Sequence, residues 1–139
     1  KDREMVQRIG AHQKRRGNSW TTVEEPTELA DALLARRGRT DCVLVDCLTL
    51  WLSNLLLRRD GKYAEEKVAE LARTLPRLDF HIVLVTNEVG WGIVPDNPLA
   101  RQFRDLAGWA NQRIAAIASE VVLTVAGIPM IVKRGTPCS

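Results

Sequence analysis

The sequence HIVLVTNEVGWGIVPD occupies residues 81–96 and joins a buried strand to a polar turn. Residues 82–85 are a short run of β-branched side chains and leucine, apolar on both faces, which is typical of a strand inside a parallel sheet. Thr86, Asn87 and Glu88 follow at once. Because ligands in open α/β sheets bind just outside the carboxyl ends of the strands, these residues predict a binding site at that edge.

A long amphipathic helix is predicted after this turn, over residues 98–119. Asp96 or Asn97 can cap it, and Pro98 suits its first position. The predicted apolar stripe comprises Leu99, Phe103, Leu106, Ala110, Ile114 and Ile117. The other side carries Arg101, Arg104, Asp105, Gly108 and Gln112. From the pattern alone, we interpret that side as a solvated face with an ion pair between Arg101 and Asp105.

The rest of the chain alternates between the two kinds of element. Helices are predicted over residues 2–15, 26–38, 48–57 and 63–75, and strands over 19–23, 42–47, 81–86, 120–126 and 130–133. Alternation of this kind implies an α/β fold, a mostly parallel sheet with helices on both faces. The helix over residues 48–57 is apolar nearly all round, so it should be buried by the sheet or by another subunit. The length fits a single domain, residues 1–139.

Composition narrows the class of protein. With 45% hydrophobic and 27% charged residues, no apolar run long enough for a membrane span and no signal peptide before the first helix, the sequence predicts a soluble, cytoplasmic protein. Its three cysteines lack metal-site spacing and are interpreted as reduced thiols. The net charge is +3, but the basic residues are scattered and aromatic residues are few. A phosphate-bearing small ligand therefore fits better than a nucleic acid.

Two candidate groups carry phosphate chemistry. His12 is followed by Lys14, Arg15 and Arg16, and an imidazole can attack a phosphate whose oxygens are held by neighbouring cations. A packed histidine and a solvated helix end remain the alternatives on spacing alone. Asp46 ends the strand over residues 42–47 and resembles the Walker B carboxylate that organises Mg²⁺, with a helix N-cap as the alternative.

Four stretches of the sequence match a known pattern: EMVQRIGAH (4–12), WTTVE (20–24), LVDCLTLWLSNLL (44–56) and LVTNEVGWGIVPDNPLARQFRDLAGWANQRIAA (84–116). They resemble the bifunctional adenosylcobinamide kinase / adenosylcobinamide-phosphate guanylyltransferase family of cobalamin biosynthesis. The resemblance implies a P-loop NTPase-like (RecA-like) fold, a homotrimer and two reactions. A nucleoside triphosphate phosphorylates adenosylcobinamide, and GTP then guanylylates that phosphate to give adenosylcobinamide-GDP.

The resemblance also implies roles for particular residues. His12 takes GMP as a covalent phosphoramidate, while Gln13, Lys14, Arg15 and Arg16 contact the nucleotide. Acidic contacts fall on Glu24 and Asp46, with Mg²⁺ positioned by Asp46. The implied cofactors are GTP, ATP and Mg²⁺, and the implied partners are adenosylcobinamide and its phosphate. The resemblance leaves open whether Glu88 and Arg104 contact a ligand or only brace the loop.

One part of the family pattern has no match in this sequence. The family begins with a strand and a glycine-rich G-x-x-x-S-G-K-S phosphate loop, which nothing in Lys1–Ser139 resembles. We therefore expect the sequence to enter the pattern roughly thirty-five residues late, after a βαβ start of that size. The alternative is a non-catalytic domain that keeps the fold but has lost its nucleotide chemistry with the P-loop.

Overall fold

The computed structural model describes residues 19–135, so the predicted helix over residues 2–15 lies outside the described part. The elements, in order, are α1 (Leu29–Leu34), β1 (Cys42–Asp46), α2 (Leu48–Arg58), α3 (Gly61–Thr74), a 3-10 turn (Leu75–Arg77), β2 (His81–Val85), α4 (Pro98–Ile117), β3 (Val121–Val125) and β4 (Ile128–Lys133). This is a mixed α/β arrangement. None of the described helices is long and apolar enough to cross a membrane.

The segment before α1 differs from its prediction. The described residues over 19–23 form no strand, and the helix begins at Leu29 rather than at Pro26. Residues 25–28 instead form a local turn, in which the Glu25 carboxylate accepts hydrogen bonds from the backbone N–H groups of Thr27 and Glu28.

The strands form two separate two-stranded sheets within residues 19–135. β1 and β2 are parallel, and their register runs from Cys42 opposite His81 to Asp46 opposite Val85. β3 and β4 are antiparallel, so the prediction that β3 joins β1 and β2 as a parallel neighbour is wrong for the described residues. Between β3 and β4, Ala126 and Gly127 both have positive φ angles, of 51° and 79°. Such a two-residue turn matches the twist of a hairpin and pairs β3 with the next strand locally.

The described helices cover one face of the β1–β2 sheet. Val43, Val45, Ile82 and Leu84 pack against the helical core. The alternate residues on the other face, including Leu44, Val83 and Val85, are exposed. Within residues 19–135 the helices lie on one face of this sheet, and the strands that looked apolar on both faces bury only every second side chain.

Helix α2 lies at the centre of the core, as its apolar sequence predicted. Its buried side chains pack with those of α3 and α4 and include Leu48, Trp51, Leu52, Leu55 and Leu56. The prediction that this helix is buried is confirmed. Its burial is not complete all round, because Leu50 and Leu57 are exposed.

Helix α4 is close to its prediction and is held at both ends. The Asn97 side chain accepts hydrogen bonds from the N–H groups of Leu99 and Ala100, which is the predicted cap. At the other end, Lys133 Nζ on β4 donates to the carbonyls of Ala115 and Ala116, both at 2.9 Å. A cation at a helix C-terminus satisfies carbonyls that have no partner within the helix, so this contact ties the hairpin to α4.

Candidate functional site

The carboxyl ends of β1 and β2 bring the predicted polar residues to one edge. Asp46 is the last residue of β1 and lies opposite Val85, the last residue of β2. Thr86, Asn87 and Glu88 follow directly, and all of them are exposed, as is Asp46. The parallel register therefore places an accessible carboxylate beside an accessible polar segment, where α/β sheets bind ligands.

A hydrogen-bond network braces this edge from two helices. From the α2 side, the Thr49 hydroxyl accepts from Asn87 Nδ2 at 2.7 Å and lies 3.0 Å from Cys47 Sγ. From the α4 side, Asn111 Oδ1 accepts from the Thr86 hydroxyl at 2.8 Å. Asn111 Nδ2 donates to the Asn87 carbonyl and to Glu88 Oε1, the latter at 3.0 Å. The side chain of Glu88 is thus engaged within the protein.

Two arginines of α4 hold the segment between β2 and α4, residues 86–97, which we call the β2–α4 loop. The Arg104 guanidinium donates to the carbonyls of Gly90, at 2.6 Å, and Gly92, at 3.3 Å. Arg101 donates to the carbonyls of Pro95 and Asp96, at 2.8 and 2.6 Å. The interpretation of both arginines as part of a solvated face is therefore wrong, because the loop folds back over this side of α4.

Glu24 lies on the segment before α1, which is anchored to α2. The Trp51 indole N–H donates to the Thr27 carbonyl at 2.8 Å. Trp51 lies in the first turn of α2, the helix that begins directly after Asp46 and Cys47. Glu24 itself is exposed, three residues before that anchor. This hydrogen bond fixes the segment that carries Glu24 to the start of α2. The same turn of α2 carries Thr49, which binds Asn87 beside Asp46.

An ion cluster next to this anchor was not predicted. Lys67 Nζ on α3 lies 2.5 Å from Glu28 Oε2 and 2.8 Å from Glu70 Oε2, and the Tyr63 hydroxyl donates to Glu28 Oε1 at 3.0 Å. The hydrogen bond from Lys67 lowers the pKa of Glu28, and the two carboxylates raise that of Lys67. The pKa of Tyr63 is raised by its hydrogen bond to Glu28. Glu28 and Lys67 therefore stay ionised at neutral pH, and their contact fixes α1 on α3.

Several candidate residues are outside the described part or away from the edge. His12, Gln13, Lys14, Arg15 and Arg16 lie outside residues 19–135. His81 is the first residue of β2, so it lies at the opposite edge of the sheet from Asp46. In the described range, no group of three histidine, cysteine or acidic side chains could hold a metal ion, and Cys42 and Cys47 are free thiols.

Comparison with known proteins identifies the family of this chain. The model of the family described as cobinamide kinase / cobinamide phosphate guanyltransferase matches residues 1–132. The chain belongs to this family. It is therefore a cobinamide kinase / guanylyltransferase family enzyme of cobalamin biosynthesis.

Three similar proteins cover almost all of this chain. The bifunctional adenosylcobalamin biosynthesis protein CobP of Pseudomonas aeruginosa is 46% identical over 132 residues, which are 95% of this chain and 76% of that protein. CobU of Salmonella typhimurium and CobU of Escherichia coli are 40% and 39% identical, each over 95% of this chain and 80% of the relative. The sequence thus spans about four-fifths of the relatives' length or slightly less.

Sequence reasoning missed these hydrogen bonds and ion pairs because their partners are far apart in the chain. Glu28 and Lys67 are separated by 39 residues, and Asn87 and Thr49 by 38. The spacing of polar residues on α4 was the sequence feature that could have indicated these contacts. Arg101, Arg104 and Asn111 are separated by three and seven residues, so they share one face of a helix, and that face was assigned to solvent.

Proposed function

We propose that this enzyme transfers GMP from GTP to adenosylcobinamide phosphate through His12, at the carboxyl edge of β1 and β2. The observation that carries the proposal is the parallel register that sets Asp46 beside the segment Thr86, Asn87 and Glu88. This edge is where a P-loop NTPase-like fold, which the family implies, binds nucleotide. Glu24 is proposed as a second acidic contact, on the segment anchored to α2.

The proposed chemistry consists of two displacements at phosphorus. A His12 imidazole nitrogen attacks the α-phosphorus of GTP, the P–N bond forms and the bond to pyrophosphate breaks. A phosphate oxygen of adenosylcobinamide phosphate then attacks the same phosphorus and breaks the P–N bond. This step gives adenosylcobinamide-GDP and restores the imidazole. A neutral imidazole is nucleophilic near pH 7, and splitting one displacement into two lowers each barrier.

Charge balance in these steps is assigned to the cations after His12. Lys14, Arg15 and Arg16 would stabilise the charge that develops on the α-phosphate and on the departing pyrophosphate, and Gln13 would donate to the nucleotide. For the preceding kinase step we propose transfer of a γ-phosphoryl group from ATP or GTP to the hydroxyl of adenosylcobinamide. That step needs no covalent histidine.

Asp46 fits the role of a Mg²⁺ ligand. Its carboxylate is accessible at the end of a parallel strand. Mg²⁺ usually takes one or two carboxylates together with substrate phosphates and waters, not a cage made only of protein. When bound, the ion would neutralise phosphate charge, and Asp46 would hold it on the nucleotide side of the sheet.

The test of the proposal is covalent labelling. The protein, extended at its amino end to include the phosphate loop of the family pattern, is incubated with radiolabelled GTP and Mg²⁺. We expect GMP to remain attached through an acid-labile, base-stable bond, as a phosphoramidate requires. His12→Ala should abolish the label, and the control His81→Ala should retain it because His81 lies at the opposite edge. Undiminished labelling of the His12→Ala protein would move the nucleophile elsewhere.

The alternative function is a non-catalytic domain of the same fold. Calorimetric titration with GTP of the 139-residue chain and of the extended protein separates the two functions. If neither protein binds GTP, the proposed guanylyltransferase activity is contradicted. We further propose that the chain is one cytoplasmic domain that assembles as a homotrimer, as the family resemblance implies.

A further inference from the structure

The β2–α4 loop is braced along its length by α4, beside the carboxyl ends of β1 and β2 where we propose that the nucleotide binds. Asn111 holds its start at Asn87, Arg104 its middle at Gly90 and Gly92, and Arg101 its end. Arg101 and Asn111 are ten residues apart on one helix, so the braced loop follows α4 for about 15 Å.

The helix that braces the loop is itself packed against α3. The Gln102 side chain of α4 lies against Gly61, the first residue of α3.

The side chains that residues 89–94 of the β2–α4 loop expose to solvent are apolar. Trp91, Ile93 and Val94 are 73%, 97% and 63% exposed, and residues 89–94 contain no charged side chain. A contiguous exposed apolar surface on a braced loop marks a binding surface. The bracing also reduces the conformational entropy that a ligand would have to remove on binding.

The two substrates of the family differ in what could bind such a surface. A nucleoside triphosphate is held through its charged phosphates by cations and metal ions, and residues 89–94 carry no charged side chain. Cobinamide carries a wide corrin macrocycle with large apolar area. We propose that the β2–α4 loop binds the corrin macrocycle through Trp91, Ile93 and Val94, and that Arg104 is a positioning residue for it. This inference rests on the proposed function, because it takes cobinamide as the second substrate.

The experiment compares two matched double variants. Ile93→Ala/Val94→Ala removes the apolar pair from the loop. Ile131→Ala/Val132→Ala removes the same two residue types from β4, where Ile131 is 48% and Val132 64% exposed. Cobinamide binding is measured by equilibrium dialysis with visible absorbance, on the same protein as used for GTP labelling. Sedimentation and thermal unfolding of each variant are recorded alongside.

The expected result is a loss of cobinamide affinity confined to the loop variant. Truncating two apolar side chains that bind ligand should weaken binding by about tenfold or more. The β4 variant should stay within about twofold of the parent, and GMP labelling of the loop variant at saturating GTP should be unchanged. Arg104→Gln should also weaken cobinamide binding while leaving labelling intact, whereas Arg113→Gln on the same helix should not, because Arg113 stacks on Trp109 instead of holding the loop.

Several results would overturn the inference. They are unchanged cobinamide affinity in the loop variant, equal weakening by both double variants, no cobinamide binding by the parent protein, or a loop variant that changes only the sedimenting mass. The last result would assign the surface to a second copy of the chain. Loss of GMP labelling in the parent would remove the proposed histidine mechanism, but selective loss of cobinamide binding would still support the loop.

Discussion

Lys67 is the residue that joins α1 to α3. Its ammonium group contacts Glu28, next to the start of α1, and Glu70, one turn further along α3. Only 18% of the Lys67 side chain is exposed, so its charge is less screened than that of an ordinary surface lysine. Because Thr27, beside Glu28, is also bound by Trp51 of α2, the cluster helps to position the segment that carries Glu24.

We predict that Lys67→Met lowers the free energy of unfolding by about 1 kcal/mol at pH 7, the scale of a partly buried ion pair. Urea denaturation measures the effect, and Lys62→Met, which removes an exposed charge from the same helix, is the control. The pKa of Glu28 is lowered, so its contribution is present above its ordinary value of 4.5 and is lost as the pH falls below it. The difference between parent and Lys67→Met should therefore shrink below that pH. An equal difference at pH 3 and pH 7 would assign the effect to the packing of the lysine stem.

At the scale of elements, α2 supports both the core and the site. It starts directly after the Asp46 edge, and its first turn carries Thr49, the acceptor for Asn87. Its buried leucines pack against α3 and α4, which also carries the braces of the β2–α4 loop. A loss of packing in α2 should therefore weaken the whole described fold and not one segment.

Leu52→Ala tests this role of α2. Leu52 is fully buried, so its truncation removes transfer free energy and leaves a cavity, and we predict a loss of about 3 kcal/mol in the free energy of unfolding. Leu57→Ala on the same helix is the matched control. Leu57 is 69% exposed, and its truncation should change stability by about 0.5 kcal/mol or less. Chemical denaturation of both variants gives the comparison, and similar losses at the two positions would contradict the placement of α2.

For the whole molecule, the amount of exposed apolar surface bears on assembly. Large apolar side chains are exposed on α2, on the β1–β2 sheet and on the hairpin as well as on the β2–α4 loop, including Leu50, Leu57, Val83, Ile128 and Val132. Surface of this kind is often covered by another protein surface. It agrees with the trimer proposed above.

We predict that the protein sediments at three times the mass of its 15.6 kDa chain, independent of concentration over the micromolar range. Sedimentation equilibrium measures this mass. The Ile93→Ala/Val94→Ala variant should have the same mass, because the loop surface is assigned to the corrinoid and not to a neighbouring subunit. A concentration-independent monomer would contradict the predicted assembly.

The sequence by itself determined the family, most of the elements and the edge at which the site is proposed. The strands that became β1 and β2, the burial of α2 and the Asn97 cap of α4 all follow from short-range patterns, because hydrophobic periodicity and caps act within a few residues. The candidate residues Glu24 and Asp46 were identified from matching motifs, and the described part of the chain holds both of them accessible.

Only the tertiary structure decided how these elements are joined. The turn at Ala126 and Gly127 paired β3 with β4, and the face of α4 assigned to solvent became the support of the β2–α4 loop. The spacing of arginines in the sequence is the same whether their guanidinium groups are solvated or donate to backbone carbonyls. The choice depends on where the chain returns, which is set by packing between residues far apart in sequence, as for Glu28 and Lys67.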